Sequence, residues 1–297
     1  MAFLGSEALR SGRLTRGQLR WNYTAVHPDV YIDKDARRSL RVNTAAAALW
    51  VPGGIITGRA AAALHGAGFV DEDTPIEVIG RSRRPRPGVI VRSERIADDE
   101  TTTSAGLRAS TPARTALDLA RHLSRTQALV HLDALAAATG ITPHQVRTLA
   151  DRYPGARGVR LARDRVALLD PGAQSPRESW LRLLVMDAGF PRPQTQIGVF
   201  HRGFTAFIDM GWKELKIGLE YDGETHLADR HRFVRDIGRY ETLSQLGWLI
   251  IRVVKEHSRT FILHRLHEAF RRRCPSRNPP EGCGPGKDHS PGVDPAA

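Results

Sequence analysis

Asp209 sits in the apolar run Phe207-Ile208-Asp209-Met210, and Glu220, Asp222 and His226 follow within Lys216-Ile217-Gly218-Leu219-Glu220-Tyr221-Asp222-Gly223-Glu224-Thr225-His226. Side chains on a strand alternate, so Ile217, Leu219 and Tyr221 face one side while Lys216, Glu220 and Asp222 face the other. Asp209 is then the natural cross-strand neighbour of two adjacent carboxylates. Carboxylates gathered on a half-buried sheet repel one another and are costly to desolvate unless they are protonated or share a cation. All-oxygen donors of this kind suit Mg²⁺ or Mn²⁺, so Asp209, Glu220 and Asp222 are the candidate metal ligands.

The elements that must position these groups follow from local pattern. Ser175-Pro176-Arg177-Glu178 opens a helix with a capping serine and a proline in the first turn. Strands are expected around 194–200, 204–211 and 216–221, then a long basic helix over 229–246, a strand over 248–254 and a last helix over 258–273. Upstream, 6–12 and 14–19 read as two short helices, the second capped by Thr15, and Tyr23 to Ile32 reads as a hairpin turning at Pro28-Asp29. Helices follow at 40–50 and 57–65, with Gly53-Gly54 between them. Strands at 75–80 and 89–96 are joined by the basic turn Arg81-Ser82-Arg83-Arg84-Pro85-Arg86-Pro87. Helices at 111–123, 125–139 and 142–151 complete this half. Turn residues from Tyr153 to Gly172 bracket one more possible helix and mark the boundary between domains.

The chain has 297 residues, 41% hydrophobic, enough for two domains with real cores. No apolar run reaches the roughly 18 residues that would span a bilayer, and the N-terminus lacks the order of a signal peptide, so a soluble cytoplasmic protein is expected. Its two cysteines, Cys274 and Cys283, fall in a Pro/Gly-rich stretch and read as incidental. The net charge of +12 favours a polyanionic partner through counterion release, and nucleic acid is the partner it points to.

The order of helix, three strands, helix and strand, with Ile-Asp-Met-Gly-Trp at 208–212, Glu-Tyr-Asp-Gly-x-x-His at 220–226, Arg-Asp-x-x-Arg at 235–239 and Leu-Gly-Trp-x-Ile-x-Arg at 246–252, resembles the PD-(D/E)XK nuclease fold. Within it the chain is similar to the Vsr-like group, relatives of very-short-patch-repair endonucleases. The resemblance covers 174–273 and implies a restriction-endonuclease-like α/β domain, a mixed sheet flanked by helices. It implies that Asp209 and Glu220 bind a divalent metal that activates water for phosphodiester hydrolysis. The lysine expected two positions after Glu220 is replaced by Asp222, an accessory ligand in this reading. His226 becomes the candidate for proton transfer or phosphate contact, and Glu178 an outer acid. Arg235, Arg239 and Arg252 are the cations placed to contact DNA.

Each of these residues has a plainer reading. Glu178 stands three positions after Ser175 and completes a capping box equally well. Asp209 can end a strand, His226 can pack a loop, and the arginines after Arg230 can form a solvated helix face. Trp212 and Trp248 read as packing residues before they read as base-stacking wedges.

Gly12-x-Leu14-Thr15-Arg16-x-x-Leu19, the Pro-Asp-Val-Tyr turn at 28–31 and the run Ile56-Thr57-Gly58-x-Ala60-Ala61-Ala62-x-Leu64-His65-Gly66 resemble the winged-helix antitoxins of type IV toxin-antitoxin systems. That resemblance implies a mostly α, winged-helix-containing α+β domain that binds DNA, with the helix at 15–20 in the major groove and Arg13, Arg16 and Arg20 at the DNA. The expectation is therefore a winged-helix domain at 1–152, a linker at 153–173, a nuclease-fold domain at 174–273 and a disordered tail at 274–297. The function expected of it is Mg²⁺- or Mn²⁺-dependent cleavage of DNA, with RNA a lesser possibility. The alternative is a DNA-binding regulator or antitoxin whose nuclease fold does not cut.

Overall fold

A computed structural model describes residues 1–81, 84–223 and 230–274. The chain divides into two compact units, Met1–Ser179 and Trp180–Ala297. It is a mixed α/β protein with three sheets flanked by helices. No helix among the described residues is long and apolar enough to cross a membrane.

The first unit opens with β1 (Phe3–Leu4), α1 (Gly5–Arg10), α2 (Arg16–Asn22), β2 (Tyr23–His27) and β3 (Val30–Asp33), and the three strands form a sheet in the order β1-β3-β2. β1, too short for any alternation to register, closes the edge of the hairpin. Next come α3 (Leu40–Trp50), β4 (Ile55–Thr57), α4 (Gly58–Leu64), β5 (Ile76–Ile79), β6 (Val89–Arg92), β7 (Thr101–Ser104) and β8 (Leu107–Ser110). These five strands order as β6-β5-β4-β8-β7. β5 and β6 run parallel, so the basic turn between them is a crossover and not a hairpin. β5 is buried along its whole length, including Glu77, whose carboxylate takes Arg92. β4, β7 and β8 have no counterpart in the sequence reading, because β4 has three residues and β7 is a threonine run without apolar alternation.

Four helices, α5 (Pro112–His122), α6 (Arg125–Thr139), α7 (Pro143–Ala150) and α8 (Val159–Val166), pack together through Leu117, Leu132, Val146 and Val159. Their starts carry the expected signals: Thr111, Ser124 and Thr142 each accept a backbone hydrogen bond from the first turn. Residues 153–173, read as a linker bracketing one helix, carry α8, whose Val159, Ala162 and Val166 join this core together with Leu169.

α9 (Pro176–Asp187) begins at the end of the first unit. The second unit then adds β9 (Gln194–His201), β10 (Phe204–Trp212), β11 (Ile217–Tyr221), α10 (Arg230–Gln245), β12 (Leu249–Val253) and α11 (Arg259–Arg273). The sheet order is β12-β11-β10-β9, antiparallel except that β11 and β12 are parallel. One sheet face packs Met210, Leu219 and Ile251 with Leu266 of α11; the other packs Ile208 with Leu243 of α10 and Trp248. Ile208 and Met210 share a parity yet serve opposite faces, because the β9–β10 register skips Asp209 and Gln196, and Gln196 has φ 48. Asp209 therefore lies where the β9–β10 pairing is interrupted without a change of register. The expected tail beyond Cys274 lies outside the described residues.

Candidate nucleic-acid interface

α2 buries only Leu19, and its remaining residues Arg16, Gly17, Gln18, Arg20, Trp21 and Asn22 are exposed. A helix that gives up one side chain to the core and keeps two arginines and a 70% exposed tryptophan outside has a surface suited to a charged ligand. Its start is fixed by a capping box: Thr15 Oγ1 accepts from the Gln18 N–H at 3.2 Å, and Gln18 Oε1 accepts from the Thr15 N–H at 2.8 Å. Arg20 lies over the Trp21 ring at 6.0 Å, and Arg13, just ahead of the helix, lies over Phe3 at 5.5 Å. Among the described residues, Arg13, Arg16 and Arg20 form no ion pair with a carboxylate. Trp21 escaped the sequence reading; the signal was a large aromatic beside Arg20 where the alternation of a buried face would place a polar residue.

The hairpin is held against α1 at its turn. Asp29, at φ 64, accepts from the Ser6 N–H at 2.7 Å and from the Ser6 hydroxyl, and its carbonyl accepts from the Gly5 N–H at 2.9 Å. A short polar side chain tolerates this left-handed backbone, so Asp29 both makes the turn and fixes the hairpin to the helix pair.

In the second unit the carboxylates expected to share a metal are matched with cations from the protein itself. Arg239 of α10 donates through Nη1 to Glu220 Oε2 at 3.0 Å and through Nη2 to Glu220 Oε1, while Tyr240 Oη donates to Glu220 Oε2. Nη2 of the same arginine also donates to the Phe207 carbonyl at 2.7 Å. Burial works against the charge on Arg239, but its hydrogen bonds and Coulomb attraction to Glu220 prevail and raise its pKa above the ordinary arginine value. Burial, followed by the charge of Glu220, pushes the Tyr240 phenol up as well. Asp222 accepts from Arg252 Nε at 2.6 Å, and Asp209 Oδ2 accepts the Tyr221 N–H at 2.9 Å. Arg252 and Arg239 both lie over the Tyr240 ring, at 4.7 and 5.1 Å. The donor set in this arrangement does not fit a divalent ion, because both oxygens of Glu220 are held by a bidentate arginine and a phenol.

Glu178, buried in the first unit, uses its carboxylate locally: it accepts from the Gln174 N–H and the Ser175 hydroxyl, both at 2.9 Å, while the Ser175 hydroxyl accepts from the Glu178 N–H at 3.1 Å. His226 lies outside the described residues. Arg235 is exposed on α10, whereas Arg239 and Arg252 are engaged as above. Tyr240 was missed in sequence, since nothing in a tyrosine's type or spacing marks it as the partner of a carboxylate twenty residues earlier.

Among the described residues, the carboxylate and histidine group whose ligand atoms all lie within 4.8 Å of one another is Glu94, Asp118 and His122. It is laced with cations too. Arg114, 1% exposed, donates to Asp118 and Glu100, and Arg121 donates to Glu94 and Asp118. Thr57 Oγ1 donates to Asp118 at 2.7 Å and Tyr153 Oη to Glu100 at 2.6 Å. Burial alone would raise the Glu94 carboxyl, but His122 close beside it and hydrogen bonds from Arg121 lower it to about 2. This network joins β4, the β7 entry, α5 and the segment after α7, and it belongs to the core of the first unit.

Residues 43–169, from α3 through this network to the end of α8, match the AbiEi antitoxin C-terminal domain family. Two uncharacterized proteins of Mycobacterium tuberculosis, MT2308 of strain CDC 1551 and Rv2248 of strain H37Rv, are each 31% identical to this chain over 201 residues, which covers 67% of the chain and 73% of each relative. The antitoxin match corrects the expectation of a metal-dependent DNA endonuclease: that family points to a DNA-binding toxin-antitoxin regulator. In the second unit both oxygens of Glu220 accept from Arg239, and one of them also from Tyr240. The chain belongs to one family with these mycobacterial proteins, and its residues 43–169 resemble the C-terminal domain of AbiEi antitoxins.

Proposed function

We propose that the protein is a cytoplasmic DNA-binding regulator of the antitoxin type, in which α1, α2 and the β2–β3 hairpin act as a winged helix. The observation that carries this reading is the outer face of α2, where Arg16, Arg20 and Trp21 are exposed and only Leu19 is given to the core. In this reading α2 enters the major groove, Arg13 meets the backbone beside it and the hairpin rests on an adjacent phosphate strand. Phosphate contacts supply affinity, and Asn22, exposed on the same helix, has the amide donor and acceptor that read an adenine edge. The second unit is a restriction-endonuclease-like sheet in which Arg239 and Arg252 take the place of metal charge beside Glu220 and Asp222.

The test is selection of duplexes from a randomised library by the full-length chain, followed by a gel shift on the enriched sequence. The reading expects a discrete enriched motif and a shift that a Trp21→Ala, Arg20→Ala chain loses. Absence of any enrichment, together with no duplex binding at low salt, would overturn it.

A further inference from the structure

β12 lies at the edge of its sheet, with β11 on one side and no strand on the other among the described residues. Leu249 donates its N–H to the Lys216 carbonyl and Val253 accepts from the Asp222 N–H, each at 2.8 Å, so the odd-numbered residues of β12 face β11. In a parallel ladder the alternate residues then present their amides the other way, which turns the N–H and C=O of Ile250 and Arg252 towards the free edge. One of these four groups is covered: the Arg252 carbonyl accepts from Arg265 Nη1 at 2.7 Å. The ends of the strand are closed, because Trp248 N–H donates to the Leu243 carbonyl and Val254 N–H to His257 Nδ1.

This edge forms the floor of a groove of about 560 Å³ between α10 and α11, with Tyr240 and Ser244 on one wall and Arg265 and Arg272 on the other. Arg252 lies over Tyr240 on the first wall and is paired with Asp222, while Arg265 and Arg272 line the other wall beside Glu268. An open row of backbone groups is a template for another strand, and flanking arginines select the charge of that strand.

We propose that the free edge of β12 takes up an extended acidic segment of a partner protein as an added strand, its backbone pairing with Ile250 and Arg252 and its carboxylates meeting Arg265 and Arg272. A second copy of this chain would bring the same arginines against each other. The sequence after Cys274 has proline at 275, 279, 280, 285, 291 and 295, six positions without the N–H donor an added strand needs. The sugar-phosphate backbone of a nucleic acid has no N–H to satisfy the Ile250 carbonyl, and its phosphate oxygens are acceptors like that carbonyl. The inference does not rest on DNA binding by α2.

The experiment uses the full-length chain and a decapeptide of alternating Glu and Val, compared with its Lys/Val counterpart and with the Glu/Val peptide N-methylated at alternate residues. Amide hydrogen exchange at Ile250 and Arg252 is expected to slow at least about tenfold when the Glu/Val peptide is saturating. The Lys/Val peptide, the methylated peptide and the exposed-site variant Arg272→Glu are each expected to weaken binding by about tenfold. Unchanged exchange at both amides would overturn the proposal, as would equal binding of the methylated peptide. Displacement of the peptide by a single-stranded oligonucleotide that protects neither amide would assign the groove to nucleic acid instead.

Discussion

Glu220 and Asp222 were legible as a same-face pair from strand alternation alone, and they do lie on and just after β11. Their partners were not legible as partners, because Arg239, Tyr240 and Arg252 approach from another helix and strand and only the folded sheet decides whether an arginine or a metal meets a carboxylate. Removing one member of a buried ion pair leaves an uncompensated charge, so Arg239→Ala should cost about 3 kcal/mol of stability, measured by urea unfolding. The paired change Glu220→Gln, Arg239→Met should recover most of that loss, which a metal-binding role for Glu220 would not predict. In the first unit, Arg114→Met should cost about 3 kcal/mol, since it removes the buried cation shared by Asp118 and Glu100 and leaves them to Arg121, Thr57 and Tyr153. Glu94 carries a pH signature. Its folded pKa of about 2 lies below the ordinary carboxylate value of 4.5, so the unfolded chain binds the proton more readily. The stability it contributes is complete above about pH 4.5 and is lost as the pH falls towards 2. Unfolding midpoints measured across that window should fall more steeply for the native chain than for Glu94→Gln.

At the scale of elements, helices with capping residues and amphipathic faces could be located from sequence, and α2, α3, α5, α6 and α11 lie where cap and periodicity put them. Strands fared unevenly. β9, β10 and β11 are long enough to show a pattern, whereas β4 and β7 are short, and one of them is almost purely polar. The parallel pairing of β5 with β6 was hidden because the intervening residues look like any hairpin turn, and strand direction is decided by burial of β5 between neighbours. Two local devices can be tested directly. Thr15→Ala removes the capping box of α2 and should cost about 1 kcal/mol, read as fraying of that helix by amide exchange. Gly58 starts α4 at φ 62, and a Cβ there would collide with the carboxylate of Glu77. Gly58→Ala should therefore destabilise the first unit by about 2 kcal/mol or more in thermal unfolding, adding a left-handed backbone penalty to a clash.

Across the whole molecule, the charge of +12 is put to two uses. One set of arginines, Arg114, Arg121, Arg239 and Arg252, is matched to carboxylates and stabilises the two units from within. Another set, including Arg13, Arg16 and Arg20 at the N-terminal end, stays exposed and is the part that a polyanion can use. Total charge in the sequence could not separate them, because the distinction lies in which arginines find an acid after folding. The central claim is that the exposed set on and beside α2 binds duplex DNA. It is tested most directly by fluorescence anisotropy of a labelled duplex titrated with the native chain and with Arg16→Glu, Arg20→Glu over a range of salt, both chains having the same thermal transition. The account predicts at least about a tenfold loss of affinity in the variant near 0.1 M salt and a log K against log salt slope shallower by about 2, because each arginine removed leaves one phosphate with its counterions in place. Equal affinities and equal slopes for the two chains would contradict it.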